Sequence, residues 1–150
     1  MNVEANVGVQ GHLPVYACVG DAGADLRCTT DIALEPGQRM LVGTGVSVAL
    51  PVGTVGLITP RSGLAARLGL GIVNAPGVID SGYRGEILVC LVNHDTTEQI
   101  ALAAGDRIAQ LVVLPCITAQ FHPVDSLDET ERGSGGYGST GVGNNTPTLD

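Results

Sequence analysis

The stretch N-A-P-G-V-I-D-S-G-Y-R-G, residues 74–85, is the part of the chain around which the rest is arranged. A P-G pair and an S-G pair flank the short apolar step V-I, and a carboxylate, Asp80, and a ring, Tyr83, lie close to these turns. Two glycine-containing turns this close predict a narrow hairpin whose N–H and C=O groups can face a ligand instead of a neighbouring strand. An ordinary hairpin with Asp80 as a turn residue is the alternative, and the stretch taken alone favours that alternative.

The composition favours one all-β domain. A chain of 150 residues buries about 70% of the surface that its unfolded form exposes, which is enough for one core. That core must be built from Val, Leu, Ile and Ala, because the chain has one Phe, three Tyr and no Trp. With 22 Gly and 8 Pro, a fifth of the chain is turn-forming, and the turns recur at a spacing typical of a sandwich or barrel of short strands.

The charged residues and cysteines exclude several classes of function. The net charge of −8 argues against a nucleic-acid partner, because binding a phosphate polymer needs a broad basic face. All seven basic residues are Arg, which excludes a Walker A phosphate loop and a catalytic lysine. The four cysteines lack the C-x-x-C spacing of zinc or redox sites. We find neither a signal peptide nor a bilayer-length apolar run, and so expect a soluble cytoplasmic protein that binds no membrane.

Two earlier segments carry polar residues that serve either a ligand or the fold. The two carboxylates of D-A-G-A-D-L, residues 21–26, indicate a cation site only weakly, and an Asx-turn that opens a strand is the simpler interpretation. Residues 60–68, P-R-S-G-L-A-A-R-L, are the one convincing helical piece, with Ser62 as a candidate N-cap. There Arg61, Ser62 and Gly63 fit anion binding and plain helix capping equally well.

Apolar patterns predict two later strands. Residues 86–93 form an apolar run that we expect to be buried on both faces, with Cys90 as a small hydrophobic residue inside it. In residues 107–114, strict alternation places Gln110 on the same face as Ile108 and Val112. Because a buried amide needs a partner, Gln110 either bonds to the backbone or binds a ligand.

The C-terminal segment differs in composition from the rest. Residues 125–131 are acidic, and residues 132–143 contain six Gly around one aromatic residue, Tyr137. A segment so rich in glycine cannot hold a core position, but Arg132, Ser139 and Thr140 make it unlike a plain linker. We therefore predict a catalytic domain in residues 1–124 and a flexible arm in residues 125–150, which closes over an anionic ligand and has a disordered end.

Five segments, taken together, resemble the trimeric dUTPases, the deoxyuridine triphosphate nucleotidohydrolases. They are D-A-G-A-D-L (21–26), P-R-S-G-L-A (60–65), N-A-P-G-V-I-D-S-G-Y-R-G-E (74–86), G-D-R-I-A-Q-L (105–111) and R-G-S-G-G-Y-G-S-T-G (132–141), in the family's order. The resemblance implies an all-β fold, a distorted jelly roll or β-clip with one short helix. It also implies a homotrimer whose active sites are each built from three subunits and closed by the arm of one of them.

The resemblance further implies hydrolysis of dUTP to dUMP and pyrophosphate, which keeps uracil out of DNA and supplies dUMP for thymidylate synthesis. Asp80 would be the general base, holding the water that attacks the α-phosphorus, and Asp25 would hold Mg²⁺ through water molecules. The residues implied to contact the phosphates are Arg61, Ser62, Gly63, Gln110, Arg132, Gly138, Ser139 and Thr140. Those implied to contact uracil and deoxyribose are Asn74, Gly77, Val78, Ile79, Tyr83 and Tyr137, the last standing where the family usually has Phe.

Two other functions fit parts of the same pattern. A dCTP deaminase shares the implied fold and would release ammonia, although the glycine-rich arm and the V-I-D-S-G-Y hairpin favour the hydrolase. A non-catalytic nucleotide-sensing or protein-interaction module on the same jelly roll would leave dUTP intact. Release of pyrophosphate from dUTP in the presence of Mg²⁺ separates the hydrolase from both.

Overall fold

The computed structural model describes residues 5–136, and within that range strands dominate. One short helix, α1 (Ser62–Leu68), interrupts them. The strands are β1 (Gly8–Gly11), β2 (Ala24–Arg27), β3 (Ile32–Leu34), β4 (Arg39–Ala49), β5 (Thr54–Pro60), β6 (Leu70–Ile72), β7 (Gly77–Ile79), β8 (Glu86–Asn93), β9 (Ile100–Leu102) and β10 (Arg107–Pro115). The helix therefore falls in the segment predicted to be helical, and the all-β prediction is confirmed.

Residues 5–136 form two four-stranded sheets and one two-stranded sheet. The first has the strand order β1-β4-β8-β6, the second β2-β10-β5-β7, and β3 pairs with β9. Every pairing is antiparallel. Because no two neighbours in these sheets are consecutive strands of the described chain, the connections cross between the sheets, as they do in a jelly roll.

A single aliphatic core joins the three sheets. Its largest fully buried apolar side chains come from strands of all three: Leu26, Leu34, Ile87, Leu91 and Ile108. Burial of this apolar surface is the main favourable contribution to folding, and the low aromatic content leaves it to Leu, Ile and Val.

Asn93 is a fully buried polar residue at the end of β8. Its Nδ2 donates to the carbonyls of Leu34 and Glu98, both at 2.9 Å, and its Oδ1 accepts from the backbone N–H of Asp95 at 2.9 Å. A buried amide with all these groups bonded fixes the turn after β8, whereas leaving them unpaired would cost ~1–3 kcal/mol each.

The prediction that residues 86–93 are buried on both faces is wrong for the single chain. In β8 every second residue is buried: Ile87, Val89, Leu91 and Asn93. The opposite face is open, since Leu88 is 48% exposed and Cys90 only partly buried. Across the ladder, Cys90 pairs with Leu41 of β4, which is 63% exposed. The outer face of this sheet is therefore apolar and accessible.

The chain divides into two compact units, Met1–Thr118 and Ala119–Asp150. All strands and the helix described above lie in the first unit. In the described part of the second unit, residues 119–136, no strand or helix forms, and Arg132 Nε donates to the Gly135 carbonyl at 3.2 Å. Among residues 5–136 we find no helix of the length and apolarity needed to cross a membrane.

Candidate active site

The stretch at residues 74–85 forms one wall of a cavity of 230 Å³. Strand β7 pairs with β5 along one edge, from Gly77 opposite Ile58 to Ile79 opposite Gly56. It ends its sheet, so its other edge has no strand partner within residues 5–136. This free edge agrees with the prediction that backbone groups of the stretch can face a ligand.

Strand β8 forms the facing wall. It pairs with β6 only from Leu91 to Asn93, and residues 86–89 therefore have no strand partner on that edge within the described chain. Residues 77–80 and 86–89 both line the cavity. Strand β7 and the start of β8 therefore belong to different sheets and do not pair with each other. Backbone donors and acceptors of both strands are available to a ligand between them.

We call this cavity the base pocket. Six residues that the sequence analysis named as site residues line it. They are Asn74, Gly77, Val78, Ile79, Asp80 and Tyr83. Asp80 is exposed at the end of β7, and its carbonyl accepts from the Tyr83 N–H at 3.0 Å, which closes the turn. The Tyr83 hydroxyl donates to the Glu86 carbonyl at 2.9 Å, and the ring remains 41% exposed. The ring is therefore fixed at its tip while its face stays accessible.

Two glycines shape the base pocket because they have no Cβ atom. A Cβ on Gly77 would stand 3.3 Å from Cβ of Ile58 and 3.6 Å from Nδ2 of Asn74. A Cβ on Gly85 would collide with the Tyr83 ring, 2.7 Å from Cζ. Such distances mean that glycine lets β7 lie close on β5 and lets the tyrosine fold back over the turn.

A second cavity, of 330 Å³, lies elsewhere on the first unit and is polar. We call it the phosphate cleft. Its lining is Arg61, Ser62, Gly63, Arg67, Arg107 and Gln110. Four of these residues were predicted to contact phosphates, whereas Arg67 and Arg107 were not named. The cleft forms where the end of β5, the start of α1 and strand β10 meet.

The start of α1 corrects one prediction. Arg61, with extended φ −87 and ψ 119, is the N-cap, and no side chain among residues 5–136 caps the helix. Ser62 is already the first helical residue, so its predicted capping role is wrong. In the part of the chain that the structure describes, the backbone N–H groups of Leu64 and Ala65 bond to the Arg61 carbonyl. The Ser62 hydroxyl is exposed beside the cleft and is left for another partner.

Asp25 organises the cationic side of the phosphate cleft. It is buried, with 6% exposure. Its Oδ1 accepts from Arg61 Nε at 3.0 Å and its Oδ2 accepts from Arg107 Nη1 at 2.9 Å. A second Arg61 nitrogen, Nη1, is 3.4 Å from the Arg107 carbonyl. Charge-assisted bonds of this kind hold both guanidinium groups in one orientation. Sequence reasoning missed Arg107, although it lies inside the G-D-R-I-A-Q-L segment.

Gln110 reaches the phosphate cleft because β10 contains a bulge. The register shifts between Arg107 and Ala109, and Ile108 and Ala109 are both buried. After the bulge, Gln110 is half-buried. It is paired with Asp25 of β2 on one side and with Thr59 of β5 on the other. The prediction that it shares a face with Ile108 is therefore wrong, because an extra residue reverses the alternation. Its Nε2 has one distant contact, 3.5 Å from the Gly23 carbonyl.

The resemblance implied that Asp25 holds magnesium through water, and the arrangement of the described residues is compatible with that but not with direct coordination. Across residues 5–136 no group of three or more His, Cys, Asp or Glu side chains is placed to hold a metal. Both Asp25 oxygens already accept from arginines, so direct coordination would displace a guanidinium. Each carboxylate oxygen keeps a second lone pair, which can accept a hydrogen bond from a metal-bound water.

The base pocket and the phosphate cleft have no lining residue in common. The structure thus brings the predicted residues together in two groups, one around Asp80 and one around Arg61. Arg132 belongs to the second compact unit. Tyr137, Gly138, Ser139 and Thr140 lie outside the described residues.

Comparison with known proteins gives a consistent result. The family model described as dUTPase matches residues 10–141. A deoxyuridine 5'-triphosphate nucleotidohydrolase of Cutibacterium acnes is 64% identical over 140 residues, covering 93% of this chain and 92% of the relative. One of Nocardia farcinica is 61% identical over 129 residues, covering 86% of this chain and 78% of the relative.

Two solved structures are similar in fold. A mutant dUTPase of Staphylococcus bacteriophage 80alpha with dUpNHpp has a TM-score of 0.84 and 29% identity, covering 91% of this chain and 99% of the other. A mutant dUTPase of phage phi11 of S. aureus, described with a structural Mg(II) ion, has a TM-score of 0.76 and 25% identity, covering 83% of this chain and 99% of the other.

Proposed function

The chain belongs to the dUTPase family and hydrolyses dUTP to dUMP and pyrophosphate, and we propose that its base pocket binds the nucleoside while its phosphate cleft serves the triphosphate. The single observation that carries the proposal is that five residues predicted to contact uracil and deoxyribose line one cavity together with Asp80, the predicted general base. In this proposal, water attacks the α-phosphorus between the base pocket and the phosphate cleft, and the cleft can belong to a neighbouring copy of the chain.

Uracil is recognised by backbone groups in this proposal. The free edge of β7 and the Asn74 side chain line the base pocket and offer donors and acceptors fixed by the sheet. Uracil presents a C=O, N–H, C=O edge, and cytosine would leave part of a matching set unpaired, which can discriminate by about 10⁴-fold. Tyr83, held through its hydroxyl, supplies a flat face for deoxyribose that leaves no room for a ribose hydroxyl.

Asp80 is the proposed general base. It lies directly after the β7 edge and lines the base pocket, so it stands beside any nucleoside held there. Its carboxylate accepts a proton from the attacking water while oxygen bonds to the α-phosphorus, and the pyrophosphate oxygen leaves on the opposite side. General-base assistance of this kind accelerates a step by about 10²–10⁴-fold.

The phosphates meet the guanidinium groups of the phosphate cleft. A triphosphate brings about three to four negative charges, which a chain of net charge −8 would repel without a local excess of cations. Arg61, oriented by Asp25, together with Ser62, Gly63 and Gln110 provides donors there. From the C-terminal segment, Arg132, Gly138, Ser139 and Thr140 are proposed to close on the γ-phosphate, and Tyr137 to stack on the base.

Magnesium is the proposed cofactor. When bound, it neutralises phosphate charge and orients the phosphate oxygens. Asp25 is the residue that would hold it, through water, with the oxygen lone pairs that Arg61 and Arg107 leave free. Its place beside the cleft-lining arginines supports this role.

A homotrimer is proposed to complete the site. In one chain the base pocket and the phosphate cleft share no lining residue, so a neighbouring copy can supply the second half. The apolar outer face at Leu41, Leu88 and Cys90 is the kind of surface that stable interfaces cover. Symmetric copies would then form three equal sites.

The cell compartment and role follow from the same chemistry. The four cysteines are free thiols, as is typical of the reducing cytoplasm, where we place the protein. Removal of dUTP there keeps uracil out of DNA, and the dUMP formed supplies thymidylate synthesis.

The test of this function is an Asp80→Asn variant assayed with dUTP, dTTP, dCTP and UTP for pyrophosphate release. We expect the wild type to prefer dUTP strongly, and the variant to bind a non-hydrolysable dUTP analogue almost as well while kcat falls by about 10³-fold or more. Asp31→Asn, at an exposed acid that lines neither cavity, is the matched control. Unchanged turnover in Asp80→Asn would remove this residue from the mechanism.

A further inference from the structure

We propose that Arg67 is a further phosphate-binding residue, specific for the phosphates beyond the α-phosphate of the nucleotide. The inference rests on the proposed function, since it assigns a ligand to the phosphate cleft. Neither the five matched sequence segments nor the predicted site residues include Arg67, which follows the P-R-S-G-L-A segment by two positions.

The side chain of Arg67 turns back along α1 toward its start. A Cβ placed on Gly63 would lie 3.4 Å from Arg67 Nη1 and 3.5 Å from Nη2. The guanidinium therefore lies over the helical turn that precedes its own Cα, the direction in which helical side chains project. This direction takes it into the phosphate cleft with Arg61 and Arg107.

Among residues 5–136, no carboxylate pairs with Arg67 in the phosphate cleft. Three of the seven arginines line it, and Asp25 is bonded to two of them, Arg61 and Arg107. Arg61 and Arg107 occupy both Asp25 oxygens, and Arg67 takes part in no ion pair within residues 5–136. Since like charges gathered in a cleft repel one another, this arrangement favours a bound polyanion.

The position of Arg67 determines which phosphates it contacts. The base pocket, which holds the nucleoside and the adjoining α-phosphate, has none of these arginines in its lining. A ligand with one phosphate beside the sugar therefore stays near Asp80, whereas the β- and γ-phosphates extend into the phosphate cleft. Arg67 should distinguish dUTP from dUMP.

The experiment compares Arg67→Gln, Arg67→Lys and wild type in kinetics and in calorimetric binding of dUpNHpp and dUMP. We expect Arg67→Gln to raise KM for dUTP and to weaken dUpNHpp binding about tenfold, the effect of one exposed charge-assisted bond. Binding of dUMP should change less than about twofold, and kcat less than about threefold, because the contact is made equally before and during reaction. Arg67→Lys keeps the charge and should restore most of the affinity.

Arg39→Gln is the charge-matched control, because Arg39 is an exposed residue at the start of β4 in the other four-stranded sheet. The proposal is overturned if Arg67→Gln and Arg39→Gln have the same affinity for dUpNHpp. It is also overturned if Arg67→Gln weakens dUMP as much as dUpNHpp, or if Arg67→Lys fails to restore binding, since either result indicates a structural role. Absence of pyrophosphate release by the wild type would refute the proposed function instead, so the two failures are distinguishable.

Discussion

Replacing Asp25 by Asn tests how strongly one buried carboxylate supports both the fold and the phosphate cleft. The side chain of Asp25 is 5% exposed, and those of Arg61 and Arg107 are 23% and 41% exposed. Asn keeps the shape of the side chain but replaces one acceptor oxygen by an NH₂ donor. One guanidinium would then face a donor, and both would lose their counter-charge.

The magnitude follows from the burial of the three side chains. Removing one partner of a fully buried pair costs about 3–5 kcal/mol. Water reaches both guanidinium groups, so we expect a smaller loss of about 2–3 kcal/mol in the free energy of unfolding. Arg61 also loses its fixed orientation, and KM for dUTP should rise about tenfold or more.

The assay is urea unfolding at one fixed protein concentration, because the proposed assembly would make stability depend on concentration. Asp31→Asn is the matched control, since its Oδ1 accepts from the Ala104 N–H at 2.8 Å and an amide oxygen can still accept that bond. We expect a clearly lower midpoint for Asp25→Asn alone. A midpoint and a KM equal to those of the control would contradict the view that Asp25 holds the two arginines in place.

Two further changes probe the second unit and the core. Truncation before Arg132 should leave the far-UV spectrum and unfolding midpoint almost unchanged, because the core lies in Met1–Thr118, but should reduce kcat/KM about a hundredfold or more; full activity after truncation would exclude a catalytic role for the segment. Burial raises the pKa of the Cys28 thiol. The buried neutral thiol therefore contributes fully to the free energy of unfolding below the usual thiol pKa, and this contribution is lost as pH rises through the higher pKa of the folded protein. Urea midpoints between about pH 8 and 10 should therefore fall less steeply for Cys28→Ala than for wild type, and equal slopes would show that Cys28 does not govern this decline.

Local signals in the sequence were sufficient for the turns and for the strands that alternate regularly. The P-G and S-G pairs of residues 74–85 determine the backbone conformation of only a few neighbouring residues. Backbone groups that face a ligand instead of a strand could therefore be predicted from these pairs alone. The same holds for the helix at residues 60–68, where composition alone favours a helical turn. Its start was placed wrongly because Arg61, an uncommon N-cap, precedes Ser62.

Features that depend on distant strands could not be predicted. The bonds of Asp25 to Arg61 and Arg107 span 36 and 82 positions in the chain and exist only because β2, β10 and β5 are neighbours. The bulge at Ile108 has no local sequence signal, and strict alternation therefore placed Gln110 on the wrong face. The apolar run at residues 86–93 was assigned two buried faces because composition does not show whether the chain or another copy covers it.

Mixing two inactive variants tests most directly whether one active site combines parts of different chains. Asp80→Asn disables the base pocket and Arg61→Gln the phosphate cleft, and each alone should have almost no activity. If the two chains are unfolded together in equal amounts and reassembled, random pairing should restore about a quarter of the wild-type turnover, since that share of sites combines an intact Asp80 with an intact Arg61. Activity no higher than that of the separate variants would contradict a site shared between subunits.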